Sequence, residues 1–532
     1  MGYGIGNLSR STSALTKIQA ILLIVIVITS AGGYYVYQSY MKGSSEKVLR
    51  VGIGIDPDTL DPAGQTTTLI SNIVRMVVEP LFIIDVNGKL KPWLAEGYEV
   101  SSDGLTYTIR IKKSIKFHDG TPLTAEAVKF SLERILDLNV RVPGRHNYLV
   151  IKEIEVVDDY TVRIRLKHTF APFISLLTDT ATGIMSPNAV KKLGEDIVHN
   201  LKGVGTGPFK FVEWVKGDRI VLERNDEYWG GKPKLKKIIF KVVPDANTRE
   251  AMLLAGDLDM IVLPPAADIP ALAKRSDVKL WFSNASRTMF IGINTQYGPL
   301  KDVRARQALN YAVDKEAIVK NVLLGLGKPL DAPIPWFFFS YKPIKPYEYD
   351  PEKAKKLLAE AGYPDGFEVT LFAPNGRYLF DKEVAEAVAS YLEAVGIKVN
   401  IRIHDWPTYV SLLFQPREKT QLQLFLLGFG VGTPDPHFQY YLSFHSKAFP
   451  PNGFNFFFYN NSEVDTLLDE AVKTLGPEKR ATMYQRVSEI LWHDCPWIWL
   501  YVQSYVVATS SKVRGLIMYP YEMFDLREAD IE

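Results

Sequence analysis

From residue 48 to the end, segments of period-two hydrophobicity alternate with amphipathic segments of helical period. Residues 98–100 and 105–111 flank Ser101-Ser102-Asp103-Gly104, a composition that favours a hairpin turn. Leu105, Tyr107, Ile109 and Ile111 share one face of the second strand, and Thr106, Thr108 and Arg110 share the other. A second turn at His118-Asp119-Gly120 leads to Thr124, which is placed to N-cap a helix with Val128, Leu132, Ile135 and Leu136 on one face. Further hairpins are predicted over 154–166, with Asp158-Asp159 at the turn, and around Lys216-Gly217-Asp218. Asp302 and Asp314 are predicted helix caps, and Asp350-Pro351 opens a helix that Gly362 stops. Helices are also expected over 381–395, 462–475 and 477–493. Residues 397–403 alternate like a strand, and 422–429 and 496–507 read as strands rich in apolar residues. The order is mixed α/β, with no internal repeat.

The N-terminus has a different pattern. Residues 18–37 (IQAILLIVIVITSAGGYYVY) contain no charge and are long enough to span a bilayer as a helix. Arg10 and Lys17 precede them without an acidic residue, which favours a cytoplasmic N-terminus, and Tyr34, Tyr35 and Tyr37 suit the outer interface. The competing reading is a cleaved signal peptide, with small residues at Thr29-Ser30-Ala31. Length and the tyrosine end favour an uncleaved anchor. Either reading puts the bulk of the chain outside the cytoplasm. Residues 40–47 (YMKGSSEK) form a flexible tether.

A chain of 532 residues is long enough for two or three domains. Its charge of +2, from 62 basic and 60 acidic residues, lacks the basic footprint of a nucleic-acid partner. One cysteine, Cys495, excludes an intramolecular disulfide and a Cys-based zinc site, and its apolar setting indicates a buried thiol. Aromatic residues make up 12% of the chain, enough for large cores or for an aromatic-lined cavity. Catalytic motifs are absent: there is no G-x-S-x-G, no phosphate loop and no HExxH. His437 and His445, separated by a short segment, fall short of a metal-ligand set. No cofactor is expected, and an enzyme is the weaker of the two function classes.

One stretch carries more than grammar. From Lys91 it reads KPWLAEGYEVSSDGLTYTIRIKKSIKFHDGTPLTAEAVKFSLERIL. This closely resembles the signature of family 5 extracytoplasmic solute-binding proteins, with Ala127 where that family often has Asp. The resemblance continues through TGPFKFVEWVKGDRIVLERNDEYW (206–229), AMLLAGDLDMI (251–261), residues 291–326 and PWIWLYVQSYVV (496–507). It implies a three-lobed α/β fold of the Venus-flytrap, periplasmic-binding-protein type, here with an N-terminal transmembrane helix. The expected division is a cytoplasmic segment (1–17), anchor or signal (18–40), linker (41–47), lobe I (48–80, 205–300 and 504–532), lobe II (81–204) and lobe III (301–503). The implied function is capture of a peptide, or alternatively an oligosaccharide, for delivery to an ABC permease and its separate ATPase.

The resemblance also implies where ligand would lie. Thr67 and Thr68 of lobe I follow the TLDPA loop, and their hydroxyls both donate and accept. Phe429, Gly430 and Gly432 of lobe III face them in the family pattern. Tyr148, Phe290 and Trp336 fall near aromatic positions of the cleft. Trp406 is expected to pack lobe III, and Arg141 and Arg145 are solvated unless they reach the cleft. Peptide-binding relatives carry W-x-x-D-Y-P-D-P where this chain has Phe429-Gly430-Val431-Gly432-Thr433-Pro434-Asp435-Pro436. Gly432 therefore replaces the carboxylate that meets a peptide's ammonium, and Asp435 matches the later, structural Asp. A buried ammonium needs a partner, so the ligand either lacks a cationic end or finds a carboxylate from elsewhere in the chain.

Overall fold

Among the described residues, backbone pairing of the period-two segments builds an 11-stranded sheet, a four-stranded sheet and three two-stranded ones. The computed structural model describes residues 47–430, 433, 435–451 and 453–532. The expected membrane segment at 18–40 lies outside the described residues, as does Gly432. Among the described residues, no helix is long and apolar enough to cross a membrane.

The large sheet contains β1 (Val48–Ile53), β2 (Phe209–Val215), β3 (Arg219–Arg224), β4 (Lys237–Val242), β5 (Met260–Val262), β6 (Val278–Ile293), β7 (Gly327–Pro329), β8 (Glu368–Pro374), β9 (Lys398–His404), β10 (Leu424–Phe429) and β11 (Trp497–Ser510). Their order is β9-β8-β10-β6-β11-β5-β1-β4-β3-β2, with β7 on β11. The sheet is mixed: β1 runs parallel to β4 and β5, and β8 parallel to β9 and β10. At its centre β6 and β11 pair antiparallel from Val278↔Ser510 to Gly292↔Trp497. Each belongs to both halves of the sheet. The outer part of β11 pairs with β5 at 507–509, and the last six residues of β6 pair with β10.

The ladder breaks between Ser283↔Tyr505 and Arg287↔Gln503, where residues 284–286 face the single residue Ser504. Such a bulge bends a strand and re-aims the side chains beside it. Ser504 donates its N–H to the Leu326 carbonyl at 3.1 Å.

The smaller sheet is antiparallel, in the order Ala95–Val100, Thr106–Ile111, Thr161–Leu166, Ile151–Asp158. Tyr107, Ile109 and Ile111 are buried against Val128, Leu132 and Ile135 of helix Ala125–Leu136, as the pattern predicts. Asp302, Asp314 and Asp350 each accept a cap hydrogen bond. Thr124 sits at the N-cap with extended backbone, but its side chain makes no cap bond. The Asp314 helix is short, running Lys315–Ala317 before a wider turn over Ile318–Val322. Helix Trp406–Leu413, capped by Asp405, was not anticipated.

The connection between the two sheets is tied by one buried carboxylate. Glu79 Oε1 accepts from Trp93 Nε1 (2.8 Å) and the Tyr228 hydroxyl (2.6 Å). Its Oε2 accepts from the Thr206 hydroxyl (2.8 Å) and Trp229 Nε1 (2.9 Å). Beside it, Gly207 N–H donates to the Val77 carbonyl at 3.0 Å. The two crossing segments touch so closely that a Cβ on Gly205 would lie 1.7 Å from that carbonyl oxygen. Glu79→Gln replaces one acceptor oxygen by an N–H₂ group facing two donors. An unsatisfied buried polar group costs about 1–3 kcal/mol, so urea melts followed by tryptophan fluorescence should show a loss of at least that size. A variant as stable as the parent would remove Glu79 from this role.

Candidate functional site

Two cavities meet where β6 bends. One, of about 190 Å³, is polar and is walled by Thr66, Thr67, Thr68, Arg75, Asp179 and Glu522 among others. The second, of about 220 Å³, is apolar and is walled by Tyr378, Trp406, Phe414, Phe429 and Phe454, with Arg377 at its edge. Arg287 and Gly430 line both.

The polar wall is built from pinned backbone. Asp61 accepts two bonds from Arg134, at 2.9 and 2.6 Å, and a third from Ala63 N–H. This bidentate pair holds the loop before Thr67 against helix Ala125–Leu136. Thr67 is extended and makes no cap bond to the helix that follows, Thr68–Arg75, so its hydroxyl is available. Arg75 at that helix's end donates to the Thr180 hydroxyl at 2.8 Å and to the Thr178 carbonyl. Burial lowers its pKa, and the charge of Asp179 counters that effect. Burial raises the Asp179 pKa, opposed first by the N–H of Ala181 and then by Arg75.

Arg287 occupies the junction. Its Nη2 lies 3.2 Å from Glu522 Oε1, and the two side chains are 16% and 21% exposed. Its Nη1 reaches the Gly428 carbonyl of β10 at 3.5 Å. The arginine stem lies across Gly428, where a Cβ would come 2.6 Å from Arg287 Cδ and 2.4 Å from Met289 Sδ, so a larger residue there would displace these side chains. Glu522 follows Tyr521 in a turn where both have left-handed backbone, φ 62° and 68°. That region costs roughly 1–2 kcal/mol for a residue with a Cβ. Asn72 Nδ2 donates to the Glu522 carbonyl at 3.0 Å and steadies the turn. The guanidinium of Arg377 stands 5.1 Å from the Tyr378 ring centroid and 5.0 Å from that of Trp406. Removal from water lowers its pKa, and the Arg287 charge lowers it further.

The residues expected from sequence are divided by this geometry. Thr67, Thr68, Phe429 and Gly430 line the cavities. Phe290 does not: it is 0% exposed and stacks on Trp497 with centroids 3.5 Å apart. Its side of β6 faces the interior, so the expectation of a cleft aromatic is corrected. Tyr148 is also buried, in the core of the smaller sheet, though its phenol feels the charges of Asp179 and Arg75. Trp336 is 42% exposed and lines neither cavity, while its neighbours Phe337 and Phe338 are buried. Trp406 both packs against the core and walls the apolar cavity. Asp435 caps helix Pro436–Phe444 and pairs with Arg480 at 2.8 Å, the structural role expected of it. Sequence reasoning missed Arg287, Arg377, Tyr378 and Glu522. Asn375-Gly376-Arg377-Tyr378, just before a helix, is the one local signal that could have drawn attention to them.

Residues 89–451 match the family described as bacterial extracellular solute-binding proteins, family 5. The chain is 34% identical over 484 residues to the glutathione-binding protein GsiB of Salmonella choleraesuis, covering 91% of this chain and 94% of that one. Among solved structures, HbpA2 from Haemophilus parasuis superposes with a TM-score of 0.81 at 29% identity, over 91% of this chain and all of the other. The periplasmic binding protein DppA from Helicobacter pylori, in complex with the peptide STSA, superposes with a TM-score of 0.73 at 28% identity, over 91% and 98% of the two chains. The chain belongs to the family 5 extracellular solute-binding proteins: it is the binding component of an ABC importer and not an enzyme.

Proposed function

We propose that this protein captures short peptides in the paired cavities and presents them to the membrane permease. One observation carries the reading. A polar wall bearing Thr67 and Thr68 faces a strand end bearing Phe429 and Gly430 across a bent strand crossing. Hydroxyls and backbone groups suit a peptide main chain without dictating its side chains, and the aromatic cavity takes one apolar side chain. Glutathione, named for GsiB, is a tripeptide, and DppA was crystallised with a peptide. In this reading lobe I comprises 48–80, 205–300 and 504–532, lobe II 81–204 and lobe III 301–503. β6 and β11 are the hinge. The residues at 18–40 anchor the protein, with its cleft outside the cell.

Mass spectrometry of protein purified without refolding is expected to find a bound peptide. An oligosaccharide in its place would overturn the peptide assignment. Truncating the aromatic wall by Phe429→Ala removes about 1.5–3 kcal/mol of apolar burial. Calorimetry should then read a loss in affinity of roughly tenfold or more.

A ligand stabilises a closed form only through contacts that are better there than in the open form. Small-angle scattering should therefore show a smaller radius of gyration at saturating peptide. An unchanged radius, starting from a ligand-free form no more compact than the loaded one, would argue against the hinge.

Attachment is tested by fractionation. The full chain should partition with membranes, and a chain beginning at Ser44 should remain in the aqueous phase and bind the same peptide. Mature protein beginning near Gly32 would instead establish signal cleavage.

A further inference from the structure

Another cavity, of about 310 Å³, shares no residue with the two in the cleft. It lies among the helix turn at Lys315, the loop at Tyr347, the end of β7 at Pro329 and strand β11 at Trp499. Small-molecule sites run from roughly 300 to 1,000 Å³, so this one suits a small occupant. Trp492 and Trp499 form an apolar wall, their rings stacked at 17° with centroids 5.1 Å apart, and Leu330 extends it.

Two buried donors on this cavity are short of acceptors. Trp499 is 1% exposed, and its Nε1–H has no acceptor among the described residues. Trp492 beside it differs, since its Nε1 donates to the Lys345 carbonyl at 3.0 Å. Lys315 is 8% exposed, and its Nζ donates to the carbonyls of Asn310 and Tyr347. An ammonium has three protons to give, and neither of these partners carries a charge. Burial pulls the Lys315 pKa down to about 7, opposed by Cys495 and Asp314. Asn310 ties the two donors together: its carbonyl takes Lys315, and its Oδ1 takes the backbone N–H of Trp499 at 3.0 Å. A carboxylate supplies an acceptor and a countercharge in one group. The remaining charges on the cavity have the opposite sign: Asp314, Glu316 and Glu348 line it, the last two exposed to solvent.

We propose that this cavity is a second ligand site, separate from the cleft, for a free α-amino acid with an apolar side chain. The carboxylate meets Trp499 Nε1–H and Lys315 Nζ, the ammonium faces Asp314, Glu316 and Glu348, and the side chain lies against Trp492 and Leu330. An amine alone leaves the two buried donors unmet, and a fatty acid alone meets the acidic residues with no positive charge. A zwitterion satisfies both ends. The site is independent of what the cleft binds.

The test is NMR of the full chain, freed of co-purified ligand and isotope-labelled at the tryptophan indole nitrogens, titrated with L-leucine and with L-phenylalanine. The chain has nine indoles, and Trp499→Phe identifies the signal of Trp499 as the one that disappears. That signal should shift and saturate with at least one of the two amino acids, because its N–H gains an acceptor. For leucine, the probes leucinamide, which lacks the carboxylate, and isocaproate, which lacks the ammonium, should each bind about tenfold or more weakly. Lys315→Met should weaken the amino acid by about tenfold or more, whereas Phe429→Ala, in the cleft, should leave its affinity in place. A Trp499 signal that neither amino acid moves overturns the proposal. So does an affinity that Phe429→Ala lowers and Lys315→Met does not, which puts the amino acid in the cleft. Isocaproate binding as tightly as leucine overturns the amino-acid class. If Trp499→Phe and Lys315→Met do not fold, calorimetry on the parent and on Phe429→Ala decides: amino-acid binding that survives the cleft substitution supports the second site, and binding lost with it overturns the proposal.

Discussion

The antiparallel ladder between β6 and β11 is the constraint on which the rest of the molecule depends. Both strands belong to two half-sheets at once, so their hydrogen bonds carry the chain from one core to the other without a loop between them. A continuous ladder of that length would be stiff and would leave no room at its centre. The bulge at 284–286 changes the local bend, and it does so directly beside Arg287. The site therefore lies at the bend as a consequence of backbone pairing. The cavities open where the two half-sheets diverge.

Burial sorts the charged groups into two kinds. Some are fully satisfied and hold structure. Glu79 takes four donors, Asp61 takes Arg134 in a fork, and Asp435 is shared between a helix N-terminus and Arg480. Removing either partner of such a group leaves a buried polar atom or charge unmet, which is why they belong to the scaffold. The second kind lines the cleft and is satisfied in part. Arg287 has one carboxylate and one long contact to a carbonyl, and Arg377 stands against two aromatic rings and within the field of Glu522 and Asp381. Groups of this kind retain capacity for a ligand.

Two residues with left-handed backbone stand at the cleft. Tyr521 and Glu522 adopt left-handed backbone without glycine, and the Glu522 carboxylate projects to the cavity border as a result. Asn72 supports the turn from the helix that Thr67 precedes, so the polar wall and the acidic turn are positioned by the same element. The Arg287 side chain passes close over the Gly428 backbone, where the lack of a Cβ leaves it room.

By itself the sequence determined the local elements and the family. The hairpins at Gly104 and Gly217, the caps at Asp302, Asp314 and Asp350 and the strands around Leu424–Phe429 and Trp497–Ser510 depend on neighbours within a few residues, and that information is local. The motif from Lys91 onward is long enough to name a family without any structure. The tertiary structure alone decided which of the aromatic and charged residues face the cleft. Phe290 and Phe429 look alike in sequence, yet one stacks on Trp497 in the interior and the other walls a cavity, because strand register sets the direction of each side chain. Arg287 and Glu522 are 235 positions apart and meet because the C-terminal turn folds back onto the bent strand. No periodicity records such a contact. A charge that is solvated on one surface and paired in another has the same sequence, and the difference between them is the low-dielectric, water-excluding environment that the fold supplies.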